Sequence, residues 1–291
     1  MKYIKLLCKL GYLSVKGQWV RGTEIGTAYT KVSKCYEAKF LSQMHTYNDQ
    51  VLEAFKSALP KKPEHILDLA CGTGYNSMQL RSFYKEAEFC LVDVSKGMLE
   101  QAQNKSLEPA TFRQQDMLSF LKTQPDGSFD GVLCCWAIKY QPPRKVIEEV
   151  HRVLKLGGVF GVIVNTRATL PEIRRIYPKL LLEYSSAIQK VMLELPNPKN
   201  KQVFDGWFTK QGFRQLAGAT GEKVFRFKNE KDLAEWVTHT GALAGFDCML
   251  DLQNEKIQTC MCQHLRAAAL KQVTHTFVWG LFEKEKERKM L

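Results

Sequence analysis

Val51, Leu52, Phe55 and Leu59 recur at the spacing of one helical face, which predicts a helix over about Ala28 to Leu59. Pro60-Lys61-Lys62-Pro63 ends it, because proline has no N–H to give to the helical ladder. Past the prolines the pattern changes to short apolar runs. His65–Leu69, Phe89–Asp93, Thr111–Arg113, Phe129–Cys135 and Val159–Val164 read as strands. Amphipathic stretches at about Tyr75–Tyr84, Lys96–Asn104 and Arg144–Leu154 read as the helices among them. Helices of about this length between strands require crossover connections, so the strands are expected in a parallel sheet covered on both faces.

After Asn165 the alternation stops. Pro171 to Leu195 reads as one long helix closed by Pro196-Asn197-Pro198. A short element at Val224–Phe227, helices near Lys231–Thr240 and Glu255–Lys271, and a last strand at Val273–Phe282 follow. At the other end, Gly22 to Gly26 reads as flexible. In Met1–Leu10, lysines at 2, 5 and 9 interrupt the apolar residues, so no secretory apolar stretch forms. That short amphipathic segment is expected to pack on the protein's own body. No run reaches the 18 or so apolar residues of a membrane span.

Composition changes this picture little. A chain of 291 residues, 45% apolar and 25% charged, can bury a sizeable core. The net charge of +12 raises the question of an anionic partner. Its lysines and arginines are scattered, and the dense run Glu283–Lys289 alternates in sign, as a solvated tail would. Nine cysteines are spread along the chain; Cys260-Met261-Cys262 is the only close pair outside Cys134-Cys135, and no C-x-x-C exists for a zinc site. Reduced thiols and a cytoplasmic location are therefore expected, with no metal.

Candidate chemistry concentrates where the first strand turns into the first helix of the alternating region, at Asp68-Leu69-Ala70-Cys71-Gly72-Thr73-Gly74. Ligands of doubly wound sheets bind outside the carboxyl ends of the strands, and glycine lets backbone approach them closely. A tight strand-to-helix turn is the plainer reading. Ala70 and Ser77 stand where a dinucleotide fingerprint would have glycines, which disfavours a nicotinamide oxidoreductase. Asp93, ending the second strand, can accept hydrogen bonds from two ribose hydroxyls, or it can cap a helix, a part Ser95 could also play. Asp116 and Met117 follow the third strand; a carboxylate there can meet an adenine amino group, or it can be a turn residue. Together the three acids and the glycine turn are ordered as an adenosyl ligand requires.

Ile66–Tyr75, Leu91–Leu99, Gln115–Met117, Phe129–Tyr140 and Arg152–Val164 resemble the class I methyltransferases that use S-adenosylmethionine. The likeness is good over about Lys31–Val164 and loose elsewhere. It implies an α/β fold: a three-layer, doubly wound, seven-stranded sheet with the last strand antiparallel. It also implies an N-terminal helical lid over residues 1–60 and a methyltransferase domain over 61–291, with a substrate-cover insertion at about 166–222. By the same resemblance Asp68 orients the methionine end, and Ala70, Gly72 and Gly74 let backbone pass close to it. Asp93 holds the ribose, Asp116 and Met117 frame the adenine, and Cys135 and Trp136 line the methyl side. Methyl transfer is an in-line displacement, so positioning and exclusion of water matter most, and a base is needed only for a poor nucleophile.

Candidates on the acceptor side are Tyr36, which could equally be structural, and His45, Tyr140, His239 and His275, for which a structural role is the more expected one. Trp207, Phe208 and Trp236 could wall an apolar pocket, though Trp236 has the helical spacing of a core residue. A small organic acceptor of oxygen, nitrogen or carbon is the expectation, of the kind taken by quinone or carboxyl methyltransferases. RNA methylation is the alternative raised by the charge, but Cys135–Pro143 lacks the Asn/Asp-Pro-Pro-aromatic motif of amino-group methylators. A non-catalytic scaffold is the alternative of another class.

Overall fold

The computed structural model describes residues 1–285, so the Lys286–Lys289 part of the charged run lies outside the described residues. Seven strands form one sheet: β1 (His65–Leu69), β2 (Glu88–Asp93), β3 (Ala110–Gln114), β4 (Phe129–Cys135), β5 (Leu154–Asn165), β6 (Phe213–Arg226) and β7 (Gln272–Lys284). Their order is β3-β2-β1-β4-β5-β7-β6. The first five run parallel and β7 lies antiparallel to β5, with Val159 opposite Glu283 and Asn165 opposite Phe277. Chain order reverses direction between β1 and β4, with Asp68 level with Leu91 on one side and Leu133 on the other. This is the seven-stranded sheet expected from the sequence.

The chain divides into two compact units. The larger holds Gln43–Arg167, Leu195–Gly221 and the chain from Thr276. Here α3 (His45–Ala58) buries Val51, Leu52 and Phe55. α4 (Tyr75–Arg81), α5 (Lys96–Gln103), α6 (Met117–Leu121), α7 (Pro143–Val153) and α9 (Lys201–Thr209) complete the helical cover. Val146, Ile147 and Val150 of α7 and Phe204 and Phe208 of α9 join Leu67, Val132, Phe160 and Phe282 in one apolar core. The smaller unit holds Met1–Ser42, Ala168–Glu194 and Glu222–His275. Its helices are α1 (Lys2–Val15), α2 (Gly22–Lys39), α8 (Pro171–Glu183), α10 (Glu230–His239), α11 (Phe246–Met249) and α12 (Glu255–Ala267). The division differs from a 1–60 lid and a 166–222 insertion: α3 belongs with the sheet, and the segment between β6 and β7 joins the N-terminal helices.

Several element boundaries also differ. The helix expected over Ala28–Leu59 is two, α2 and α3, separated by a 3-10 turn at Leu41–Gln43. The Gly22–Gly26 stretch is not flexible but opens α2, because Glu24 Oε2 accepts from the Arg21 backbone N–H at 2.9 Å and from Thr23 Oγ1 at 3.0 Å. α8 stops at Glu183, twelve residues short of Leu195; beyond it Val191 pairs with Trp19 in an isolated bridge. Val224–Arg226 is the tail of the long edge strand β6. Phe208 is no pocket wall: it stacks on Phe282 at 3.8 Å between centroids and packs edge-on to Phe160, because the apolar face of α9 is core. The charged run begins inside β7, where Lys284 is buried and gives its ammonium to the Leu154 carbonyl at 2.8 Å.

Candidate functional site

Four adjacent parallel strands, β3-β2-β1-β4, deliver the cofactor candidates to their carboxyl ends. Asp68 lies one residue before the end of β1, Asp93 is the last residue of β2, and Cys135 is the last of β4. Asp116 and Met117 start α6 directly after β3. Between β1 and α4 the backbone turns through Ala70, Gly72 and Gly74 at positive φ of 54°, 55° and 77°. The Cys71 N–H donates to the Val92 carbonyl at 3.0 Å, which ties this turn to β2.

The two glycines differ. No heavy atom lies within 4 Å of where a Cβ on Gly72 would stand. A Cβ on Gly74 would come within 3.0 Å of the Ala102 Cβ on α5. Gly74 therefore serves helix packing, and Gly72 is the one that leaves open space along the turn.

Asp93 joins the elements. Its Oδ2 accepts from the Gly72 N–H at 2.9 Å and its Oδ1 from the Ser95 N–H at 2.7 Å. The cap of α5 falls to Ser95, whose Oγ accepts from the Met98 N–H at 3.3 Å. Burial pushes the Asp93 carboxyl up to about 6, against the pull of those N–H donors. Asp68 accepts from Ser77 Oγ at 2.7 Å through Oδ2, while its buried Oδ1 has no hydrogen-bond partner. Burial raises its carboxyl to about 7, Ser77 opposes the rise, and the charge of Asp93 adds to it. Thr73 Oγ1 is buried without a partner too. Native structures rarely leave such atoms unmet, so a ligand with donors fits here.

Asp116 is a helix cap in this fold: its Oδ1 accepts from the Ser119 N–H at 3.0 Å and from Gln141 Nε2 at 2.6 Å. Gln141 in turn accepts from the Leu118 N–H at 2.9 Å. These donors, working against burial, hold the carboxyl below its ordinary range. Trp136, at φ 66°, gives its indole N–H to Asn48 Oδ1 at 2.8 Å, and Asn48 gives its amide to Asn76 Oδ1 at 2.7 Å. Burial raises the Cys135 thiol, and Asn76 hydrogen-bonds it. The network Trp136–Asn48–Asn76 thus joins β4, α3 and α4, and no sequence pattern marks its two asparagines.

Among the acceptor-side candidates, His45 lies flat on Tyr75, the first residue of α4, at 3.7 Å between centroids and 6° between planes. Tyr75 donates its hydroxyl to Asp49 Oδ1 at 2.8 Å. Tyr140 ends a 3-10 turn just past β4, and its ring lies 5.1 Å from the Lys139 ammonium. No spacing in the sequence marks Lys139. It is buried, donates to Asn165 Oδ1 at 2.5 Å, and is lowered to about 7 by burial. Tyr36, His239 and His275 are in the smaller unit. Tyr36 and His275 flank Phe40, with Phe225 and Trp236, in one aromatic cluster. His239 Nδ1 sits 2.9 Å from the Glu235 carbonyl of its own helix. Metal-ligating side chains approach one another at Glu183, Cys260 and His264, within 4.8 Å; there the Glu183 carboxylate already meets both partners.

Residues 66–158 match the model of a methyltransferase domain. A Bacillus subtilis (strain 168) protein named only as a methyltransferase is 38% identical over 136 residues, 44% of this chain and 53% of that one. The demethylmenaquinone methyltransferase of Clavibacter sepedonicus is 25% identical over 213 residues, 66% of this chain and 83% of its own. The malonyl-[acyl-carrier protein] O-methyltransferase of Dechloromonas aromatica is 29% identical over 115 residues, 40% and 42% of the two chains. The chain spans about half the length of the first curated relatives it matches. Among solved structures, the [4+2]-cyclase SpnF shares the fold at a TM-score of 0.60 and 15% identity, over 92% of this chain and 98% of that one. A cyclase on this scaffold shows that fold alone does not fix the reaction.

Proposed function

We propose that this chain, whose residues 66–158 match the model of a methyltransferase domain, moves a methyl group from S-adenosylmethionine to a small organic acceptor by in-line displacement. The reading rests on the pairing of Asp68, whose buried Oδ1 lacks a partner, with the open space at Gly72 on the same turn. Asp68 would receive the ammonium of the methionine end, which is the donor its carboxylate lacks. Gly72 would admit that part of the cofactor without a Cβ in the way.

Asp93, which accepts from the Ser95, Gly72 and Val94 N–H groups, would meet the ribose hydroxyls through the acceptor capacity these donors leave. Asp116 and Met117 would bound the adenine, and Cys135 and Trp136 the methyl side. Bound S-adenosylmethionine supplies an electrophilic methyl group on a positive sulfonium. The chain's own part is to hold the two reactants in line and keep water out. For an acceptor that must lose a proton, the Lys139 amine is the candidate base in the larger unit, since burial holds it at about 7 and its hydrogen-bond partner Asn165 is neutral. The relatives named for demethylmenaquinone and for a carrier-bound malonyl group favour an acceptor of the quinone-ring or carboxylate kind.

Calorimetric titration with S-adenosylhomocysteine tests the cofactor reading. Asp93→Ala is expected to weaken binding by roughly 1–3 kcal/mol, the scale of lost hydrogen bonds to a charged acceptor. Unchanged affinity would remove Asp93 from the ribose. Failure of the intact chain to bind would leave a scaffold as the better reading.

A further inference from the structure

The fourteen residues of α1 bury only one side chain, Leu13. Leu6, Lys9 and Leu10 are half-buried and lie on the same side, and this stripe seats the helix on the rest of the smaller unit. Tyr3, Ile4, Leu7, Tyr12 and Val15 are exposed by 70%, 66%, 68%, 59% and 89%, and Cys8 and Gly11 lie exposed between them. Positions 3, 4, 7, 8, 11, 12 and 15 form one continuous helical stripe without a charge in it. Lys5 and, just past the helix end, Lys16 run along one edge of that stripe, Lys9 is half-buried, Lys2 lies further round the helix towards Glu183, and α1 contains no acidic residue. Single exposed apolar residues are ordinary on a protein surface; a row of five on one face of one helix is not.

We propose that α1 docks this protein on the surface of an anionic lipid bilayer, lying in the plane of the interface. Charge selects this occupant. A protein groove would have to supply both an apolar trough and acids for the lysines, whereas acyl chains beneath anionic headgroups offer that pairing along any direction of the helix. The amphipathic tyrosines at the two ends of the stripe suit the headgroup level. The long lysine stems can lie along apolar surface while their ammonium groups stay in water. At 1.5 Å per residue the helix is about 21 Å long, too short to cross the hydrocarbon core, so it lies on the membrane. The expected packing of this segment on the protein's own body is made by one stripe, through Leu6, Leu10 and Leu13.

Flotation of the full chain with vesicles tests this. The protein is expected to rise with vesicles of equal parts phosphatidylcholine and phosphatidylserine and to stay behind with phosphatidylcholine alone. Lys5→Gln and Lys16→Gln should each lower the partition about fivefold, and added salt should mimic them. Leu7→Asp should abolish flotation while the circular dichroism and thermal midpoint stay unchanged, because the side chain touches solvent. A chain that stays in the aqueous layer with both vesicle types overturns the proposal. So does flotation that survives Leu7→Asp. A dimer in sedimentation without lipid that Leu7→Asp dissolves would give the face to a second copy instead. Calorimetry with S-adenosylhomocysteine is independent of every one of these outcomes.

Discussion

Asp68 and Asp93 are buried carboxylates at the ends of neighbouring strands, and neither has a basic side chain among the groups that perturb it. Both are raised from an ordinary value of 3.8, to about 7 and about 6, chiefly by burial. The folded protein then holds more protons than the unfolded chain between 3.8 and these values. Their stabilising contribution is complete below 3.8 and is lost as pH rises through about 6 to 7. Lys139 acts in the other sense: its folded value is about 7 against 10.5, so stability returns as pH rises above about 7. On these three groups, the ligand-free protein is least stable near pH 7, which denaturant titrations from pH 5 to 9 would reveal. An ammonium beside Asp68 favours its ionised form, so cofactor binding should release a proton below pH 7 and tighten with rising pH. Titration in two buffers of different ionisation heat reads that proton directly. Zero release would take Asp68 out of the cofactor's reach.

At the scale of the elements, the turn between β1 and α4 separates two reasons for a glycine. Gly74→Ala puts a side chain at positive φ against Ala102, and roughly 2–4 kcal/mol of stability should be lost. Gly72→Ala meets no atom, so its cost is the backbone alone, about 1–2 kcal/mol, but the methyl fills the open space. It should therefore lose affinity for S-adenosylhomocysteine by about tenfold or more while remaining folded. Equal effects of the two changes on binding would mean that the space at Gly72 holds nothing. The same region shows what a sequence discloses. β1, β2, β4 and β5 are buried along most of their length, so they stand out as apolar runs, and the acids at their ends fall into view with them. β6 is an edge strand whose residues are mostly half-buried; Arg214-Gln215-Leu216-Ala217-Gly218-Ala219-Thr220 has no such run, and only its end was legible. Asn48 and Asn76 could not be found from spacing, because their bond joins positions 28 apart and the Trp136 bond joins positions 88 apart. The start of α2 was hidden by glycines that Glu24 overrides through its bond to Arg21.

For the whole molecule, the chain passes between its two units five times, after Ser42, Arg167, Glu194, Gly221 and His275. Strands β6 and β7 each continue through one of those passages. Neither unit can unfold without freeing the ends of segments that the other must hold, and loop closure then costs the survivor entropy. Thermal unfolding is accordingly expected as one transition, with far-ultraviolet dichroism and tryptophan fluorescence coinciding. Two separated midpoints would mean that the units melt on their own. The threading also bears on how such a protein can change. A helical unit carried on one insertion can be exchanged between cousins by a single pair of crossovers. Here the smaller unit is spread over three stretches of chain, so a new one must be reached by substitutions made one at a time inside it.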